Sequence, residues 1–140
     1  MVRISDFTLV KLLMENARTP YVEIAEKLGV SEAAVRKRIK RLEGFGVIKG
    51  YTIDVDPKKL GYEVSAIIGL DMGPEYLLKV MEELKNKEEV MKLYLTSGDH
   101  MLVVECWFKS SQELSSFVKS LESREGVRRV CPAIVLERVK

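Results

Sequence analysis

Residues 20–44, "PYVEIAEKLGVSEAAVRKRIKRLEG", predict two helices joined by a tight turn. Pro20 suits the first turn of a short helix that runs to about Lys27. Gly29 supplies the turn, and Ser31 is a good N-cap for the second helix. Apolar residues at helical spacing give each helix one buried side, namely Ile24, Ala25 and Leu28 in the first and Val35, Ile39 and Leu42 in the second.

The outer face of the second helix is basic. At about 100° per residue, the direction opposite the apolar stripe holds Ala33, Lys37, Lys40 and Arg41, with Ala34 beside them and Arg36 and Arg38 on the flanks. Basic runs on helices are most often solvated faces, so charge alone does not decide the function. The preceding helix and turn favour DNA binding, as do the small residues near the end that approaches base edges. The pattern therefore predicts a DNA-binding helix-turn-helix whose later basic residues meet phosphates.

The flanking segments complete a first domain. Upstream, Ser5 caps a predicted helix that carries Leu9, Leu12 and Leu13 on one side. Downstream, "GFG" ends the basic helix, "VIKGYTIDV" (47–55) alternates like a strand, and "DPKKLG" (56–61) has the proline and glycine of a linker. We therefore expect a helix-turn-helix (winged-helix-like) domain over residues 1–50, a strand and linker over 51–61, and a second domain over 62–140.

The second domain alternates strands and helices. A strand over about 62–71 precedes a helix that opens at Gly73-Pro74, a strand through Tyr94, a turn at "TSGD" and a strand over 101–108. A capping box, Ser110 with Glu113, begins the next helix, and "VRRVCPAIVLERV" is the last strand. Each helix is expected to face inward with its apolar residues. These are Leu77, Met81 and Leu84 in the first helix, and Leu114, Phe117, Val118 and Leu121 in the second. The β-α-β-β-α-β order predicts a ferredoxin-like module, so the fold class is α+β.

This arrangement leaves one face of the sheet without helices. Strand 101–108 directs Leu102, Val104, Cys106 and Phe108 to one side, and Met101, Val103, Glu105 and Trp107 to the other. Since large exposed apolar faces are rare in soluble proteins, we expect two sheets to pack face to face in a homodimer. Pro132 lies in the last strand, which predicts that this strand is at a sheet edge.

Composition and charge exclude several classes of protein. The 140 residues are 46% hydrophobic, enough for a core, and a disordered chain is excluded. No apolar run approaches the roughly 18–20 residues of a membrane span, and "MVRISDFTLV" lacks a signal-peptide pattern, so we expect a cytoplasmic protein. Residues 1–60 hold 12 lysines and arginines against 8 acidic residues, whereas residues 61–140 hold 11 against 13. This asymmetry favours a polyanionic partner for the N-terminal part.

Nothing in the sequence predicts catalysis. Cys106 and Cys131 lie in apolar runs and are expected to be thiols rather than a disulfide. His100 is the one histidine and has no evident catalytic partner, and no metal-binding spacing or glycine-rich phosphate loop occurs. We expect no enzyme activity, no cofactor and no metal.

Residues 17–61 resemble the DNA-binding domain of the Lrp/AsnC family (leucine-responsive regulatory protein / asparagine regulator) of transcription regulators. The helix-turn-helix, its continuation "RLEGFGVIKGY" (41–51) and the βαββαβ module match in order over essentially the whole chain. The resemblance implies a sequence-specific regulator that binds promoter DNA as a dimer or octamer and responds to an amino acid. An alternative is an amino-acid-sensing or assembly partner subunit without its own operator, against which the complete basic helix argues.

The resemblance also implies DNA-binding residues, with the recognition helix running from Ser31 to about Glu43. The expected groove contacts are Glu32, Ala33, Ala34 and Lys37. The expected phosphate contacts are Arg36, Arg38, Lys40 and Arg41, and a structural ion pair is the alternative for Arg38. At the start of the preceding helix, Thr19 and Tyr21 are candidate donors to a phosphate, with simple packing the alternative for Tyr21.

The resemblance places an amino acid near the turn between the second and third strands of the module, where the family has Thr-Gly, two variable residues and Asp. Here the turn contains Ser97, Gly98, Asp99, His100 and Met101. Met101 takes the place of the aspartate and cannot pair with an α-ammonium, so Asp99 is the alternative carboxylate and His100 a lining residue. In the last strand, Cys131, Pro132 and Ala133 replace the family's hydroxyl side chains. The candidate effector residues are the five of the turn and Pro132, and a plain hairpin turn stays open as the alternative.

Overall fold

The computed structural model describes residues 4–140. Residues 1–3, which begin the stretch read above for a signal peptide, lie outside the described residues. The chain forms two compact units, of which the first ends at Val55 and the second begins at Asp56. No helix in the described part of the chain is long and apolar enough to cross a membrane.

The first unit is a three-helix domain. Helices α1 (Asp6–Glu15), α2 (Tyr21–Leu28) and α3 (Glu32–Gly44) pack around one apolar core. The Ser5 and Ser31 hydroxyls accept from the backbone N–H groups of Thr8 and Ala34, at 3.3 and 3.1 Å, as the predicted N-caps require. The core contains the predicted apolar stripes, with Leu9, Leu13, Ile24, Ala25, Val35, Ile39 and Leu42 buried.

Two local predictions in this unit are wrong. Pro20 has φ −60° and ψ 144°, so it precedes α2 as the N-cap instead of lying in the first turn. The predicted strand over residues 47–55 is absent, and residues 4–55 contain no strand with which it could pair. A strand exists only where its backbone groups bond to a neighbouring strand, so this segment forms none, with Ile48 packed on the core and Ile53 79% exposed. The helix-turn-helix therefore has no β-wing within residues 4–55.

The second unit is a four-stranded antiparallel sheet with two helices. The elements are β1 (Val64–Met72), α4 (Leu77–Lys85), β2 (Val90–Leu95), β3 (Leu102–Phe108), α5 (Ser111–Glu122) and β4 (Val127–Ile134), with short 3₁₀ turns at Lys58–Leu60 and Pro74–Tyr76. The strand order β2-β3-β1-β4 confirms the ferredoxin-like prediction. The helix expected at Gly73-Pro74 begins as a 3₁₀ turn, and α4 proper starts at Leu77.

The predicted edge strand and the predicted capping box are both present. Strand β4 is at the sheet edge, where Pro132 lies opposite Ile68 of β1. At the start of α5, the Ser110 hydroxyl accepts from Glu113 N–H at 3.3 Å, and the Glu113 carboxylate accepts from Lys109 N–H at 3.0 Å. Each side chain therefore satisfies a donor that the helix itself leaves unpaired.

The sheet has one buried and one open face. In β3, the residues predicted to face the helices are fully buried, whereas Val103, Glu105 and Trp107 between them are half-buried. Both cysteines are free thiols. Burial raises the pKa of the Cys106 thiol to about 12, with smaller contributions from Glu89 and Glu105, so this thiol stays protonated at neutral pH.

Candidate nucleic-acid interface and effector site

The cap of α3 begins the candidate nucleic-acid interface. Ser31 uses its oxygen to accept from Ala34 N–H, which leaves its hydroxyl hydrogen free to donate. Ala33 is exposed and Ala34 half-buried, so two residues of the first turn of α3 present little side-chain bulk beside the exposed Glu32. A recognition helix enters the major groove by this end.

The three arginines of α3 each have a partner. Arg36 Nη2 lies 3.0 Å from Glu32 Oε1, and the Arg36 guanidinium carbon lies 5.6 Å from the centre of the Tyr21 ring. Arg38 Nη1 lies 3.0 Å from Asp6 Oδ1 and so ties α3 to α1, the structural alternative considered for this residue. The guanidinium of Arg41 lies 5.6 Å from the ring of Phe45, just past the helix.

The two lysines of the same face differ from the arginines. Lys37 and Lys40 are exposed, and neither makes an ion pair or a hydrogen bond within residues 4–140. An ammonium group without a protein partner can neutralise a phosphate, and so release a counterion condensed on the DNA, without first breaking a bond within the protein. These lysines are therefore the most available cations of α3.

Thr19 and Tyr21 lie near the start of α2 and differ in how deeply they are buried. Thr19 is only 9% exposed, and its hydroxyl donates to the Asn16 carbonyl at 2.7 Å. This bond uses the one hydroxyl hydrogen that a phosphate contact would need. Tyr21 is half-buried against the core of the first unit.

The candidate effector turn joins β2 to β3. Ser97, Gly98 and Asp99 are exposed, Gly98 has φ 114°, and Met101 is half-buried against the core of the second unit. The turn is closed by Thr96, whose hydroxyl donates to the His100 carbonyl at 2.6 Å and whose N–H donates to the Met101 carbonyl at 2.9 Å.

His100 is the centre of a polar cluster that the sequence did not predict. Its Nδ1 lies 3.0 Å from Asp71 Oδ2, and Arg129 Nε lies 3.3 Å from the same oxygen. The other oxygen of Asp71 accepts from Met101 N–H at 3.2 Å. A carboxylate is thus present beside the turn, although it comes from β1 and not from the turn itself. The one available signal was an aspartate near the end of the otherwise apolar run "SAIIGLDM".

Pro132 does not join this cluster. It lies opposite Ile68, a buried residue that faces the helices, whereas the His100 ring lies over Gly69, the next residue of β1. Successive residues of a strand point to opposite faces. Pro132 and the His100 ring therefore lie on opposite faces of the sheet. Among residues 4–140, no group of three histidine, cysteine or acidic side chains is placed to hold a metal ion.

Two family models match the chain in the order of its two units. An AsnC-type helix-turn-helix domain matches residues 5–43, and an Lrp/AsnC ligand-binding domain matches residues 65–140. The chain belongs to the Lrp/AsnC family. The resemblance identified from the sequence is therefore confirmed, and the chain is a helix-turn-helix transcription regulator of the Lrp/AsnC type.

Relatives of this Lrp/AsnC protein extend over the whole chain. The HTH-type transcriptional regulator LrpA of Pyrococcus horikoshii is 48% identical over 100% of both chains. The structure of Escherichia coli AsnC is 27% identical, with a TM-score of 0.79 over 99% of this chain and 96% of that one. A feast or famine regulatory protein from M. tuberculosis complexed with L-methionine is also 27% identical, with a TM-score of 0.78 over 96% and 92%. The names of these relatives indicate regulators and not enzymes.

Proposed function

We propose that this Lrp/AsnC protein binds promoter DNA as a homodimer through α3, and that an amino acid modulates the binding. The observation that carries the proposal is the outer face of α3, where Lys37 and Lys40 are exposed, make no ion pair or hydrogen bond within residues 4–140, and lie beside the small residues Ala33 and Ala34. Such a surface offers phosphate contacts along the groove and room for base edges at its entrance. The proposed compartment is the cytoplasm.

The roles within α3 follow from the partners of each side chain. Ser31, Ala33, Ala34 and Lys37 approach the groove, while Arg36, Lys40 and Arg41 meet phosphates. Glu32, expected from the sequence to contact the groove, is left out of this set because its carboxylate accepts from Arg36. Arg38 is left out of this set because it is half-buried, with its side chain 26% exposed, and its guanidinium ties α3 to Asp6 of α1. Thr19 is left out because its hydroxyl donates within the protein.

Two features support the homodimer. The open face of the sheet carries apolar residues without a covering layer, including Ile67 of β1, which is 46% exposed. Residues 47–55 alternate like a strand but have no neighbouring strand within residues 4–140. Exposed apolar strands of this kind are unfavourable in isolation and pair readily with another chain. A second copy would cover both, and octamers would form from such dimers.

The proposed effector is an amino acid bound at the turn between β2 and β3. The support is the match of residues 65–140 to a ligand-binding domain and the L-methionine complex of a relative. The Asp71 carboxylate supplies a negative charge at this turn, although Arg129 and His100 already share it.

The proposal is tested by measuring which genomic DNA fragments the purified protein retains at about 50 and 200 mM salt. Phosphate-dominated binding falls steeply over this range. The fragments include the gene's own upstream region. Each condition is run with and without each common amino acid. We expect a few fragments to be retained at the higher salt, and the retained set or its affinity to change with one amino acid.

Charge substitutions assign the binding to α3. Lys37→Ala and Arg41→Ala are each expected to weaken binding and to lower the slope of log K against log salt by about 0.9 per lost phosphate contact. Lys85→Ala, an equal charge change at the end of α4, is the matched control and leaves binding unchanged. Undiminished binding by the Lys37 and Arg41 variants would contradict the role of α3. Failure of the wild-type protein to retain any fragment would favour the partner-subunit alternative.

A further inference from the structure

Tyr21 stands between two helices at the proposed DNA interface. It is the first residue of α2 and is half-buried against the core of the first unit. The guanidinium carbon of Arg36, a residue of α3, lies 5.6 Å from the centre of the Tyr21 ring. An anchored aromatic side chain of one helix thus supports a long cationic side chain of the other.

Glu32 fixes the same guanidinium from a second direction. Arg36 Nη2 donates to Glu32 Oε1 at 3.0 Å, one helical turn back along α3. Exposed pairs at this spacing contribute little to stability. With the ring on one side and the carboxylate at one nitrogen, the guanidinium has fewer accessible orientations than a free arginine, while its other nitrogens make no hydrogen bond within residues 4–140.

When a flexible side chain is already restricted in the free protein, less conformational entropy is lost on binding. The guanidinium suits this arrangement because it stacks on aromatic faces and still presents donors in its plane to a phosphate. Lys37 and Lys40, which follow on the same helix, have no such support. Arg36 is therefore the one exposed arginine of α3 that packs on a ring from another helix while two of its nitrogens make no hydrogen bond within residues 4–140.

We propose that Tyr21 is a positioning residue, whose ring holds Arg36 in the orientation that contacts a DNA phosphate. The inference rests on the proposed DNA binding and deepens it. It replaces the sequence-based expectation for Tyr21, in which the hydroxyl itself donates to the phosphate. In the structure the ring, and not the hydroxyl, makes the contact with a cation.

A double-mutant cycle with the tightest-retained genomic fragment tests this role. Tyr21→Leu removes the ring and is expected to weaken DNA binding about two- to tenfold, the usual cost of ordering one long side chain on binding. Tyr21→Phe keeps the ring and is expected to bind as the wild type does. In an Arg36→Ala background, which lowers the salt slope by about 0.9, Tyr21→Leu is expected to have no further effect.

Each other outcome overturns the inference in a recognisable way. Equal losses in Tyr21→Phe and Tyr21→Leu would assign the contact to the hydroxyl. A loss in Tyr21→Leu that persists in the Arg36→Ala background would assign Tyr21 to packing alone, and thermal melts of each variant would show the accompanying destabilisation. Absence of DNA binding by the wild-type protein would refute the proposed function itself, a result distinct from both.

Discussion

At the scale of single residues, Gly69 shows why a small side chain is required in the middle of β1. A Cβ atom at this position would overlap the ring of His100. With glycine, the ring lies close against the strand and its Nδ1 lies 3.0 Å from Asp71 Oδ2. Glycine at this position therefore leaves room for the hydrogen bond between His100 of the turn and Asp71 of β1.

We expect Gly69→Ala to displace the His100 ring and to lower the free energy of unfolding by about 1–3 kcal/mol, the usual cost of overpacking. Denaturant unfolding measures this change. In a His100→Ala background the clash is absent, so the same substitution should cost much less. A full cost in both backgrounds would contradict the role of the ring.

Residue partners of this kind were only partly predictable. Ser31 as a cap follows from its place before an amphipathic run, and the structure confirms it. The ion pair of Arg38 with Asp6 joins residues 32 positions apart, and the pairing of His100 with Asp71 spans 29. Such pairs depend on how helices and strands are placed, and no local spacing encodes them.

At the scale of elements, the first turn of α3 depends on its cap. The Ser31 oxygen satisfies an N–H group that has no partner within the helix. The same residue is a proposed neighbour of the DNA. The Ser31 side chain is therefore expected to contribute both to stability and to DNA binding, and substitutions can separate the two contributions.

Ser31→Ala should lower the free energy of unfolding by about 1 kcal/mol through loss of the cap. Ser31→Asp keeps a capping oxygen and should preserve stability, but its negative charge should weaken DNA binding. Thermal melts and DNA titrations on both variants separate the two roles. Full DNA affinity in Ser31→Asp would place this residue away from the phosphates.

Elements were predicted best where their own sequence suffices. The three helices of the first unit follow from hydrophobic periodicity and capping, and so does the order of helices and strands along the second unit. The boundaries of these elements fall within a few residues of the expected ones. The error at residues 47–55 has a different origin. Alternation shows that a segment suits a strand, but the strand forms only if a partner lies beside it, and residues 4–55 provide none.

At the scale of the whole molecule, the open face of the sheet is the main unsatisfied surface of the second unit. Its centre includes Ile67, Val103 and Trp107, and the buried Nε1 of Trp107 has no hydrogen-bond partner among the described residues. The helices cover only the opposite face. An isolated second unit would leave this apolar area in contact with water, which disfavours a monomer.

We expect Ile67→Lys to convert the dimer to a monomer, because the new charge would be buried between two sheets. Light scattering at micromolar concentration measures the mass. Leu78→Lys is the matched control, since Leu78 is 78% exposed on α4, away from the open face, and its substitution should leave the dimer intact. A monomeric wild-type protein would refute the face-to-face arrangement.

The sequence by itself determined the helices, the order of strands and helices along the chain, the two apolar cores and the basic face of α3, because each depends on local periodicity, capping and the alternation of side chains. The tertiary structure decided which charges are already paired. It bound Arg38 to Asp6, placed the Tyr21 ring under Arg36, and joined Asp71, His100 and Arg129 beside the effector turn. It also left residues 47–55 without a neighbouring strand among residues 4–140. These outcomes depend on the registers and packing that bring distant residues together, which local sequence does not specify.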